Sequence, residues 1–96
     1  MALKTVPFDI VEHLNSDEAI QEYFSQVLED GDSDEIIRAL GHIARARGMA
    51  ELAAKTGLGR ESLYKTFAPG SKPRFDTILK VIRALGLRTT HQHAMV

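Results

Sequence analysis

Residues 50–67 read AELAAKTGLGRESLYKTF. An alanine-rich run, a Thr56-Gly57-Leu58-Gly59 break and a second amphipathic run predict two short helices joined by a glycine turn. A helix-turn-helix needs a small residue where the helices meet, a turn residue that tolerates positive φ, and apolar anchors beneath both helices. Ala53 supplies the first and Gly57, four residues on, the second. Leu52, Leu58, Leu63 and Phe67 supply the anchors. A plain helical hairpin shares the glycine turn, so the turn alone does not separate the two readings.

In a DNA reader of this geometry the start of the second helix enters the major groove. Gly59, Arg60, Glu61, Tyr64 and Lys65 then point outward. Arg60 carries two donors that match a guanine edge. Glu61 accepts from cytosine or orients Arg60, and Tyr64 meets a phosphate or a thymine methyl. Lys65, Lys72 and Arg74 suit the phosphate backbone, with Ser62 and Ser71 assisting.

The rest of the chain carries helical periodicity and no long alternating strand pattern. Pro7 opens a first helix with Phe8, Ile10, Val11 and Leu14 as its apolar side. Asn15 and Glu18 have capping-box spacing before a second helix that buries Ile20, Tyr23, Phe24, Val27 and Leu28. Asp32 and Glu35 repeat that spacing before a third, with Ile36, Ile37, Leu40, Ile43 and Ala44 inward and Gly48 as its stop. Pro73 falls in the first turn of a last helix whose stripe is Phe75, Ile78, Leu79, Ile82 and Leu85. The fold class is therefore all-α. An acidic N-terminal helical segment spans 1–31, the helix-turn-helix domain 32–88 and a tail 89–96.

The formal net charge of -1 conceals a division. Residues 1–43 hold two basic and ten acidic side chains, a balance of -8. Residues 44–96 hold ten basic and three acidic, a balance of +7. A basic half carrying a reading helix points to a polyanion, and an acidic half to a basic partner or to a solvated surface. The chain has no cysteine, which fits a reducing cytoplasm. It shows no run long enough to span a membrane and no signal-peptide pattern at its start. His13 and His42 fall on separate helices, and His91 and His93 in the tail. No HExxH, phosphate-loop or nucleophile-elbow pattern appears. We therefore expect no enzyme, no metal, no cofactor and no small-molecule substrate.

PFDIVEHLNSDEAIQEYFSQVLEDGD (7–32), ARARGM (44–49), GLGRESLYK (57–65) and LKVIRALGL (79–87) together resemble the helix-turn-helix antitoxins known as addiction module antidote proteins, HigA-like in type. The resemblance covers roughly residues 7–87. Gly59 departs from it, since serine or threonine is common there, and the tail after Arg88 has no counterpart. What the resemblance implies is a lambda-repressor-like fold of about five helices and two activities within a type II toxin–antitoxin system. One is neutralisation of a co-encoded small basic toxin of RelE/ParE type. The other is binding of operator DNA as a homodimer to repress the operon. A free-standing transcriptional regulator and a protein-binding adaptor are the alternatives on the same fold.

By the same resemblance, Arg60, Glu61, Tyr64 and Lys65 fall at operator-reading positions. The acidic half then faces the toxin through Asp9, Glu12, Asp17, Glu18, Glu22, Glu29, Asp30, Asp32 and Asp34. Its apolar anchors are Phe8, Tyr23 or Phe24, residues that helix spacing also assigns to the core. Leu79, Ile82, Leu85 and Leu87 either pair two copies or fill the core of one.

Overall fold

The computed structural model describes residues 9–89. Among these the chain forms six helices and no strand: α1 (Ile10–His13), α2 (Asp17–Asp30), α3 (Ser33–Arg47), α4 (Met49–Thr56), α5 (Arg60–Thr66) and α6 (Phe75–Ala84). Pro7 and Phe8 lie outside the described residues. The first described helix starts one turn later than expected because Asp9 caps it, accepting the Val11 N–H at 3.1 Å.

The cap of α2 is Ser16 rather than Asn15. The Ser16 hydroxyl accepts the Ala19 N–H at 3.0 Å, three residues ahead as an N-cap requires. The capping box of α3 forms as expected. Asp32 accepts the Glu35 N–H at 2.9 Å, and Glu35 accepts the Asp32 N–H at 2.8 Å. At the far end Gly48 takes φ 111°, and a single residue turns α3 into α4.

Two central helices hold the rest. α3 packs against α1, α2 and α4, while α4 packs against α5 and α6. Phe24, Leu40, Ile43, Leu52, Leu63 and Val81 are the largest fully buried side chains. Leu14, Ile20 and Phe24 share one core cluster with Val81, Ile82 and Leu85, so the two ends of the described chain meet. The Gln21 amide fastens them. It accepts the Arg88 N–H at 2.9 Å and donates to the Arg88 carbonyl at 3.0 Å.

α6 departs from its expected stripe. Phe75 is 77 % exposed, Leu79 is half-buried, and Val81, absent from the stripe, is fully buried. Pro73 lies ahead of the helix, whose N-cap is Arg74, so Phe75 is its first residue and overhangs the core. Ile82 and Leu85 belong to the core and Leu87 packs against it, which removes them from any exposed pairing face.

Gly41 sets how closely the chain approaches itself at the end of α5. A Cβ placed there would lie 3.1 Å from the Phe67 Cβ and 3.3 Å from its Cγ. Alanine asks the ring to yield by a few tenths of an ångström, and a larger side chain must displace it or run into the groove that Gly41 lines. Gly41→Leu is expected to lower unfolding free energy by about 1–3 kcal/mol through overpacking. Urea denaturation beside the parent chain measures it, and equal midpoints would refute this packing.

Candidate functional site

The exposed surface of α5 is set by what lies under it. Leu63 is fully buried, and helical geometry then turns Arg60, Glu61, Ser62, Tyr64 and Lys65 to solvent. Tyr64 is 53 % exposed, a large aromatic surface for one side chain. Gly57, Leu58 and Gly59 separate α4 from α5. Gly57 sits at φ 75°, a left-handed conformation that β-carbons disfavour, and its N–H donates to the Ala53 carbonyl at 2.9 Å. Ala53 is half-buried and packed against the core, as are Leu58 and Phe67.

Thr56 completes the turn and escaped the sequence reading. It is 8 % exposed, and its hydroxyl donates to the Leu52 carbonyl at 2.8 Å while accepting the Leu58 N–H at 3.2 Å. A polar side chain that ends a helix and starts its turn needs no more partners. Its threonine-before-glycine position was the available signal. Gly59 is the N-cap of α5 in extended conformation, with no side-chain cap and open space where a Cβ would stand.

The flanking residues are less uniform. The Ser71 hydroxyl donates to the Thr66 carbonyl at 2.6 Å and is half-buried, so it closes the end of α5. Lys72 is exposed. Arg74 is exposed and pairs with Asp76 at 3.1 Å, a surface pair that yields readily to a competing anion.

On the acidic side, Glu18, Glu22 and Glu29 share one stripe of α2 by helical spacing and are exposed, as are Glu12 and Asp30. Asp32 and Asp34 are also exposed, with Asp32 engaged as a cap. Asp17 pairs with Arg47 at 2.6 Å and ties the start of α2 to the end of α3. Asp9 is engaged as the α1 cap. Phe24 is fully buried in the core. Tyr23 is half-buried, with its hydroxyl 2.8 Å from His42 Nδ1 and the two rings stacked 6.1 Å apart. Tyr23 and Asp30 line one groove between α2 and α3, about 410 Å³ in volume. Phe8, His91 and His93 lie outside the described residues.

Burial raises the Tyr23 pKa, opposed by Arg38. The His42 pKa is lowered by burial, then by Arg45 and Arg38, with Asp9 opposing. A neutral imidazole and a protonated Tyr23 hydroxyl therefore share one hydrogen bond, whose direction follows the imidazole tautomer. The unfolded chain protonates this histidine near the ordinary value of about 6.5, before the folded chain does. Acidification through that region favours the unfolded state, so stability falls as pH drops from about 7.5 to 5.5. Urea melts across that range are expected to show the fall, and His42→Gln is expected to flatten it. An equal slope in the variant would remove His42 as the cause.

Among the described residues no group of three histidine, cysteine, aspartate or glutamate side chains is placed to hold a metal, and no helix is long and apolar enough to cross a membrane.

Compared with known families, residues 4–93 match one described as "Probable addiction module antidote protein". The match extends past the motif-bearing 7–87 into the tail. Among curated proteins, an uncharacterized protein of Haemophilus influenzae is 44 % identical over 81 residues, 84 % of each chain. No solved structure matches.

Proposed function

The chain belongs to the family of probable addiction module antidote proteins, and from that membership we propose that it neutralises a small basic toxin and represses its own operon. In this reading α4, Gly57 to Gly59 and α5 form the helix-turn-helix of a lambda-repressor-like domain. α5 is the operator reader. Arg60 takes a guanine edge, Glu61 orients it or accepts from cytosine, and Tyr64, Lys65, Lys72 and Arg74 follow the backbone. Two copies present paired readers one DNA turn apart, as symmetric operators require. The acidic face of α2 meets a toxin that is basic because it holds RNA. The site of action is the cytoplasm, where operator and mRNA are found.

The observation that carries the DNA reading is α5 itself: a buried Leu63 beneath an exposed Arg60, Glu61, Tyr64 and Lys65, behind a left-handed Gly57. Gel retention of the DNA upstream of the chain's own gene tests it. Retention should exceed that of unrelated DNA and fall steeply with salt, because neutralised phosphates release counterions. Equal retention of both DNAs, or a flat salt response, would count against the reader.

The toxin reading rests on the exposed acidic stripe of α2. Glu18→Lys with Glu22→Lys is expected to slow toxin association roughly tenfold at low salt, since complementary fields act chiefly on encounter. DNA retention should be unchanged, because both side chains are exposed and remote from α5 in sequence, and melting should fall only slightly, by the helix-dipole contribution of Glu18 in the first turn of α2. Association at the parent rate would place the toxin elsewhere.

A further inference from the structure

Arg38 is the one described basic residue of the acidic half, and its position in space contradicts its position in the chain. It lies on α3 one turn before His42 and two before Arg45, so the three share a stripe. A groove of about 210 Å³ runs beneath that stripe, with Arg38, His42 and Arg45 on one side and Tyr64 and Phe67 on the other. Tyr64 belongs to the exposed surface of α5. A second groove joins Arg38 to residues 68–71, immediately before Lys72, with Asp34 on its rim. Among the described residues neither Arg38 nor Arg45 is in an ion pair, and both are exposed. Asp9, Asp30, Asp34 and Glu35 are the acids near this stripe, Asp30 and Glu35 lining a groove with Arg38 and His42, and none of the four is in an ion pair with either guanidinium.

We propose that Arg38 and Arg45 hold DNA backbone phosphates, so that the DNA-facing surface extends from α5 across the groove onto α3. The proposal rests on α5 being the reader. Its support is charge complementarity and continuity. Two guanidinium groups outside any ion pair line the groove that the exposed Tyr64 also lines, and a second groove leads from Arg38, past Asp34, to the uncharged 68–71 turn that precedes Lys72. A guanidinium grips phosphate oxygens through paired donors, and it fixes position on the duplex without reading sequence. Arg38 and Arg45 thus supply affinity, while Arg60 supplies choice of site.

The test is retention of the chain's own upstream DNA and of an unrelated fragment, over a salt series, for the full chain and three variants. Arg38→Ala with Arg45→Ala should weaken both DNAs by the same factor, roughly tenfold at low salt. It should reduce the slope of log affinity against log salt by about 1.8, the value for two lost phosphate contacts. The preference for upstream DNA should persist. Arg38→Lys with Arg45→Lys should restore most of the slope. Arg60→Ala should instead lose the preference. Melting should match the parent in all three. Should the double alanine variant keep the parent affinity and slope while Arg60→Ala loses preference, the α3 surface is no DNA contact and the reader stands. Should the parent chain itself show no salt-sensitive retention, the reader fails and the α3 proposal with it. Loss of toxin association with unchanged DNA retention would assign the groove to the toxin and overturn the proposal.

Discussion

Phe24→Ala is expected to lower the unfolding free energy by about 3–5 kcal/mol, the largest effect of any single truncation considered. Phe24 is fully buried on α2 and belongs to the cluster that also holds Leu40, Leu52, Leu63 and Val81. A domain of this size has roughly 5–14 kcal/mol in total, so the loss is a large share of its stability. The variant should melt well below the parent in one transition, and DNA retention should fall with it although Phe24 lies on the acidic segment. The physical reason is the shared core, closed further by the Gln21 amide on the Arg88 backbone. A variant that retained DNA and melted like the parent would mean that α2 is an appended arm, contrary to the packing observed.

Arg60→Ala with Lys65→Ala is expected to give the largest functional effect without loss of fold. Both side chains are exposed, and the helix beneath them is held by Leu63 rather than by their charges. A bidentate arginine–guanine contact is worth about 1–3 kcal/mol of discrimination. Loss of a phosphate contact at Lys65 weakens both DNAs alike, while loss of the Arg60 contact should lower the preference for upstream over unrelated DNA by about ten- to a hundred-fold. Gel retention at moderate salt measures the change, with circular dichroism as the fold control. Unchanged retention would mean that α5 is an ordinary packed helix, and the chain an adaptor.

Local chemistry made much of this legible before any coordinates. Asp32 and Glu35 predicted their reciprocal cap because both partners are three residues apart. Gly48 and Gly57 marked helix ends because few other residues take positive φ there. Where two neighbours could serve, sequence could not choose: Asn15 and Ser16 both cap helices, and only the backbone path into α2 selects Ser16. Phe75 was misplaced because periodicity gives the direction of a stripe but not where the core ends. Charge counted along the chain put Arg38 in the acidic stretch 1–43, although it lies in the 32–88 domain, and only folding shows the groove that it lines with Tyr64. The alignment of Arg38, His42 and Arg45 on one stripe of α3 was visible as spacing, but what lay across the groove was not.

The account turns on the chain being an antidote, and one measurement addresses that directly. The chain is co-expressed with the product of any small basic reading frame found beside its gene, and growth is followed while the two are purified together. The expected result is relief of growth arrest and elution as one complex, both reduced by Glu18→Lys with Glu22→Lys. Growth arrest that persists with the chain folded and abundant, together with separate elution of the two proteins, would contradict it.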